Sequence, residues 1–394
     1  GSNNGILHAF KTSNGEELWG YIPPVLLGNL EQIPSSQANT TNAIYGIDGS
    51  PTVKDIYFDD TPNDGTDNPR WRTILVGGLG AGGNAIYSID ITDIHNPKHL
   101  FAIQNDPSNR EISHWNLSGA KNIYSYGSGS GSISKDLNYS KLGETWSTPR
   151  IIRLKVNNKD KWVAVFGAGY NAAVNPDIGS AVYVMDIENE GKLLKDIDIE
   201  DQVNVMHNYV FGIPNGNTKT EFSMSQYGLT SYNVNCCKIR IAGAGDIKYT
   251  VTGTLNGDTM SNVKINFERA PSNVTITASK VNKTDIINSL PADLSVITAD
   301  GTSKANYDGA LIYASDLEGK ITKINLTENF NLNSDNILSN VFLTTLFNSQ
   351  STSENGRYIY TRPEVTINND NNLWLYFGTG NTQKLHEQSN KIKN

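Results

Sequence analysis

Apolar and polar positions alternate over short stretches of this chain, and glycine breaks the pattern at recurring places. The clearest stretch is Trp162-Val-Ala-Val-Phe-Gly-Ala-Gly-Tyr-Asn171, preceded by Pro149-Arg-Ile-Ile-Arg-Leu154 and followed by Gly179-Ser-Ala-Val-Tyr-Val-Met-Asp186. The apolar runs are too short for ordinary helices and rich in Val, Ile and aromatics, so the spacing predicts three strands. The series recurs at Pro51-Thr-Val53, Trp71-Arg-Thr-Ile-Leu-Val-Gly-Gly-Leu-Gly80 and Gly83-Asn-Ala-Ile-Tyr-Ser-Ile-Asp90. Its first half returns at Pro363-Glu-Val365 and Trp374-Leu-Tyr-Phe-Gly-Thr-Gly-Asn381. Tryptophan, apolar strands and glycines are expected at equivalent places in each copy. Glycine there permits positive φ or close backbone approach.

A repeat of short β units with turn residues between them predicts an all-β chain of the β-propeller class. Small antiparallel sheets pack on their neighbours and hide most strand edges. An earlier hairpin runs through Gly5-Ile-Leu-His-Ala-Phe10 to Leu18-Trp19, with Asn14-Gly15 as a turn in which both residues need positive φ. A further pair of strands is expected in Ala310–Leu326. Residues 104–142, rich in Ser, Gly and Asn, predict little regular structure. Residues 204–289 lack the repeat and alternate polar with apolar positions (Ile239-Arg-Ile241, Val263-Lys-Ile-Asn-Phe267, Val274-Thr-Ile-Thr277), as a small antiparallel insertion with one solvated face would. The expected organisation is blades over 3–203 with a loop insertion at 104–140, a β-rich subdomain over 204–289, and blades again over 290–394.

Composition narrows the function classes. A net charge of −8 argues against an electrostatic nucleic-acid binder, and no apolar run approaches the length of a membrane span. Gly1-Ser2 looks like a remnant of tag cleavage and is left out of the fold reading, with the natural chain expected to extend upstream. The two cysteines, Cys236 and Cys237, are adjacent. They exclude a disulfide framework and leave two readings open, a strained vicinal disulfide or two thiols in a strand.

Taken together, Gly5–Trp19, Asp48-Gly-Ser-Pro-Thr-Val53, Trp71–Asp90, Trp146-Ser-Thr-Pro149, Trp162–Asn171, Tyr313-Ala-Ser-Asp-Leu-Glu-Gly319 and Thr361-Arg-Pro-Glu364 resemble the PilY1/PilC family of type IV pilus proteins. The resemblance implies a quinoprotein-like propeller of seven modified blades. It implies a non-enzymatic role in pilus biogenesis, in pilus extension and retraction (hence twitching motility), and in adhesion and virulence. The implied location is extracellular: the cell surface, pilus tip or outer membrane of a Gram-negative bacterium. Pilus subunits or minor pilins and a host-cell surface or extracellular matrix are the implied partners. The family's calcium loop falls on Asp300-Gly-Thr-Ser-Lys304-Ala-Asn-Tyr-Asp308. Asp300 and Asp308 match, but Thr302 and Lys304 stand where hard oxygen ligands belong, and an ammonium repels the ion. That site reads as degenerate.

The denser oxygen cluster is Asp59, Asp60, Asn63, Asp64 and Asp67, with Gly65 for a sharp turn, which could wrap calcium or could be a solvated hairpin tip. Calcium is the one cofactor the pattern admits. The glycines near Gly78 and Gly167 lack a following helix to hold phosphate, so their reading is structural. No Gly-x-Ser-x-Gly or His-Glu-x-x-His occurs, and His8 is expected to be a hydrogen-bonded core residue. The competing reading is a quinoprotein-type dehydrogenase, whose cofactor and calcium ligands would converge on the propeller axis.

Overall fold

The computed structural model of the chain describes residues 1–32, 44–58, 69–126, 133–156, 159–171, 178–199, 206–233, 237–244, 247–256, 259–280, 289–298, 309–326, 341–349, 351 and 356–381. It forms two compact units, residues 1–200 with 285–394 and residues 201–284.

The first unit begins with a hairpin of β1 (Leu7–Phe10) and β2 (Glu17–Tyr21). A six-stranded antiparallel meander follows: β3 (Thr52–Phe58), β4 (Arg70–Gly78), β5 (Ala85–Asp90), β6 (Lys98–Asp106), β7 (Glu111–Trp115) and β8 (Lys121–Ser125). The next sheet has four strands, β9 (Arg150–Val156), β10 (Lys159–Gly167), β11 (Ala181–Asp186) and β12 (Lys192–Asp198).

The second unit holds two small sheets. One joins β13 (Met206–Ile213), β19 (Val274–Lys280) and β16 (Cys237–Ala242). The other gathers β14 (Glu221–Ser223), β15 (Ser231–Asn233) and β17 (Tyr249–Asn256) around β18 (Thr259–Phe267). Ile213, Val274 and Ile276 of the first sheet pack with Phe222, Val263, Ile265 and Phe267 of the second in one buried cluster.

The chain returns to the first unit with β20 (Ser295–Thr298), β21 (Ala310–Ser315), β22 (Lys320–Asn325) and β23 (Phe342–Asn348), again a four-stranded meander. A last hairpin pairs β24 (Glu364–Ile367) with β25 (Leu373–Tyr376). These sheets are the blades of a β-propeller. The hydrophobic core lies between consecutive blades: Ile74, Val76 and Phe101 of the second blade form one cluster with Ile151, Phe166 and Tyr183 of the third.

Register shows what the repeat encodes. Pro51, Pro149 and Pro363 each stand just before a first strand, where the missing N–H costs no ladder bond. The residue after each proline pairs with Val76, Val165 and Tyr376, each two positions before Gly78, Gly167 and Gly378. Prolines and glycines are therefore equivalent. The tryptophans are not: Trp71, Trp162 and Trp374 lie seven, five and four residues before those glycines. Trp71 and Trp374 are exposed, whereas Trp162 packs on the core. Their expected equivalence fails: Trp71 pairs with Tyr57, Trp162 with Arg153 and Trp374 with Thr366, so each ladder holds its tryptophan on a different rung counted from the glycine.

The glycines meet the segment that leads into the next blade. A Cβ on Gly78 would stand 2.5 Å from the Thr145 carbonyl oxygen, and one on Gly167 2.7 Å from that of Leu290. Two residues on, Gly80 and Gly169 have φ of +58° and +89° and bridge to the same Thr145 and Leu290. Gly1 repeats the arrangement, with a Cβ position 2.3 Å from the Ile47 carbonyl oxygen, while the Ile47 amide donates to the Ser2 carbonyl at 3.0 Å. Gly1 and Ser2 thus pack on the segment that leads into the second blade.

Two further expectations change. Residues 104–125 are not irregular: β6 extends to Asp106, and β7 and β8 add two strands to the second blade. Ile112 and Trp115 of β7 are buried, and so are Ser113 and His114 between them, so no alternation marks the strand against the Ser/Gly/Asn background. In the first hairpin only Gly15 has positive φ, because the turn is longer than two residues and closes through the Lys11 amide to the Glu16 carbonyl at 2.8 Å.

Candidate functional site

Four first strands, β3, β9, β20 and β24, line one cavity of about 600 Å³. They are consequently the innermost strands, and the cavity is axial. The third blade contributes Arg150, Ile151 and Ile152, and the fourth Val296, Ile297 and Thr298. The flanking strands add alternate residues only, Thr52 with Lys54 and Val365 with Ile367. Alternate residues of a strand face opposite ways, so three consecutive ones bring the edge of β9 and of β20 to the cavity.

The polar groups of the lining are fixed or cationic. Thr52 Oγ1 donates to the Pro149 carbonyl at 2.5 Å, and Ser295, one residue before the lining begins, donates likewise to Pro363. Lys54 Nζ donates to the Ile151 carbonyl at 3.1 Å and stands 5.2 Å from the centre of the Trp162 ring, a cation–π contact. Arg150 is exposed and makes no ion pair among the described residues. The described lining contains no carboxylate. Calcium needs six to eight oxygen ligands with carboxylates among them, so this donor set does not fit a calcium-bound quinone.

The residues singled out in the sequence fall elsewhere. Asp59, Asp60, Asn63, Asp64 and Asp67 lie outside the described residues, as do Asp300, Asp308 and Cys236. Cys237 opens β16 opposite Lys280. Among the described residues, no group of three or more His, Cys, Asp or Glu is placed to hold a metal. His8 is hydrogen-bonded, its Nδ1 2.6 Å from Glu17 Oε1, but it is only half-buried and not in the core. Its strand faces solvent on that side, as Phe10 also shows.

Sequence reasoning missed a group of buried charges in Asp316-Leu-Glu-Gly-Lys320. Asp316, Glu318 and Lys320 are all buried, and the Lys320 ammonium pairs with Glu318. Register puts Lys320 where the second and third blades place the buried Ala85 and Ala181. Asp316 stands where they place Leu79 and Ala168. Burial pushes the Asp316 carboxyl up to about 6, against the pull of the Lys320 ammonium and the amides of Lys320 and Glu318. The only available signal was the charge at positions that are apolar in the other copies.

A family profile described as the PilY1 beta-propeller domain matches residues 1–218. The type IV pilus biogenesis factor PilY1 of Pseudomonas aeruginosa strain UCBPP-PA14 is 26% identical over 202 residues, 51% of this chain and 13% of that protein. The PilY1 homolog of Xylella fastidiosa is 27% identical over 205 residues, 52% of this chain and 10% of the homolog. The chain thus spans about a seventh or less of the curated relatives it matches. The crystal structure of the Pseudomonas aeruginosa PilY1 C-terminal domain superposes over 96% of this chain and 52% of that one, with 18% identity and a TM-score of 0.47.

Proposed function

Because the chain belongs to the PilY1 beta-propeller domain family, we propose that it is a non-enzymatic domain of a type IV pilus biogenesis factor. The family match over residues 1–218 carries this reading, and the naming of the relatives as pilus biogenesis factors supports it. In the proposal the domain works at the cell surface or pilus tip, meets pilus subunits, and takes part in extension, retraction and adherence to host cells or matrix. Contacts in such proteins sit on variable segments borne by a rigid scaffold, and residues 201–284 are the segment assigned that role here.

A strain lacking the domain is expected to lose surface pili or twitching, scored by microscopy and by spreading on agar. Unchanged piliation and motility would overturn the assignment. Replacing residues 201–284 with a short linker is expected to leave a folded propeller by circular dichroism and to reduce adherence. Adherence at the parental level would remove the segment from the proposal. The quinoprotein reading makes an opposite forecast: pyrroloquinoline quinone added with calcium would bind stoichiometrically and support alcohol oxidation. The described axial lining, which contains no carboxylate, leads us to expect neither.

A further inference from the structure

We propose that β17 is a pairing edge through which two copies of this chain join, antiparallel, about a two-fold axis at Thr252. The proposal goes beyond the pilus assignment and would stand if that assignment failed.

The edge is open. Among the described residues β17 pairs with β18 and with no other strand. Every residue of it except the half-buried Val251 is exposed, Leu255 at 57% and Tyr249 at 42%. The strand holds no charged residue and no proline. Edges are ordinarily guarded by such residues, because a row of unpaired amides and carbonyls is a template for another chain. β8, β12 and β16, which end other sheets of the molecule, carry Lys121, Lys192 with Lys195, and Lys238 with Arg240. A bulge is another guard, but here the extra residue lies on β18, where Asn262 and Val263 stand against Gly253. β17 itself runs without insertion.

The ladder fixes which backbone groups face outward. The Lys248 carbonyl accepts from the Glu268 amide at 2.9 Å, whereas on the next rung the Phe267 amide turns the other way, to the Thr220 carbonyl at 2.8 Å. Such rungs alternate in an antiparallel pair. Thr250, Thr252 and Thr254 therefore direct their amides and carbonyls to β18, and Tyr249, Val251, Gly253 and Leu255 direct theirs to the open side.

The occupant follows from self-complementarity. A second β17 laid antiparallel, with Val251 opposite Gly253 of the second copy, matches all four outward residues. That register sets Tyr249 opposite Leu255 of the second copy at both ends, so the two most exposed apolar side chains of the strand cover each other. On the other face Thr250 meets Thr254 of the second copy, and Thr252 meets its own counterpart. Threonine pairs and apolar pairs with an aromatic member are favourable cross-strand neighbours, and association of like surfaces about a two-fold is the commonest way that soluble chains pair. The net charge is −8, so two copies repel over much of their surface and approach at least cost along an uncharged edge. A charged strand from another protein finds no counter-charge on β17.

The test follows the mass of the 394-residue chain by sedimentation velocity from low to high micromolar concentration. The mass is expected to rise from one chain to two. Thr252→Lys sets two ammoniums opposite each other and is expected to weaken association about fivefold at low salt. Thr252→Glu does the same with carboxylates, and mixing the two variants should restore the dimer, because residue 252 faces itself. Leu255→Glu removes both contacts with Tyr249 and is expected to weaken association about tenfold or more. Both positions are exposed, so unchanged melting temperatures are expected throughout. A chain that stays monomeric at every concentration would leave the edge to another partner and overturn the proposal. A dimer indifferent to these substitutions would overturn it too, as would charge variants that fail to pair on mixing.

Discussion

The third and fourth blades solve one problem in two ways. Each must bring the end of its second strand against the segment leading to the next blade. In the third blade Gly167-Ala-Gly169 does this with bare backbone, and Ala168 is buried beside it. The fourth blade has Ser315-Asp-Leu-Glu-Gly319 at the same register. Ser315 Oγ donates to the Thr361 carbonyl at 2.9 Å, and three buried charges follow. One junction is held by close approach and the other by polar side chains, so the repeat specifies a position and its spacing rather than a residue.

The largest effect expected is at Lys320. Lys320→Met leaves Glu318 and Asp316 buried without their cation, and loss of one partner of a buried pair costs about 3–5 kcal/mol. The corresponding introduction of methionine at Ala181, which carries no charge, would instead reveal the cost of overpacking, about 1–3 kcal/mol. Urea unfolding of both variants separates the two, and a milder loss for Lys320→Met would show that the charges do not depend on one another.

Exchange of the junction residues should be asymmetric. Gly167→Ser places a Cβ within 2.7 Å of a backbone oxygen that cannot move alone, at a cost of about 2 kcal/mol or more. Ser315→Gly loses a single hydrogen bond, about 1 kcal/mol. Comparable losses in the two variants would mean that the blades share one mode of contact after all.

The last effect is a pH slope. The folded Asp316 carboxyl titrates near 6, above its unfolded value, so the native state binds the extra proton between the two. Its contribution is complete below the unfolded value and is lost as pH rises through about 6. Asp316→Asn should flatten the stability profile between about pH 4 and 7, and a profile unchanged by the substitution would contradict the burial of that charge.

The sequence made the prolines and glycines readable because backbone sterics dictate them: a first strand tolerates proline only at its start, and a Cβ at Gly78 would enter a carbonyl. Trp71, Trp162 and Trp374 misled because no backbone requirement like that of proline or glycine ties a tryptophan to one rung of its ladder. The burial of Asp316, Glu318 and Lys320 was not legible, since nothing in Asp-Leu-Glu-Gly-Lys distinguishes a buried charge from a hydrated one. The axial lining was not legible at all. Thr52, Arg150 and Val296 become neighbours only once separate blades place their first strands side by side.

One detail of the third blade has a mechanical consequence. The Ile199 amide donates to the Ser180 carbonyl at 3.0 Å, and the Leu290 amide lies 3.2 Å from that of Gly179. Both ends of the intervening stretch are thereby moored to adjacent peptide groups. Loop closure costs little when the ends already touch, so the propeller accommodates some ninety residues as though they were a short detour. A pull on that stretch would load two neighbouring hydrogen bonds in turn, peeling the moorings without shearing β11 from β10. Tension there would be released locally, and the blade would stay intact.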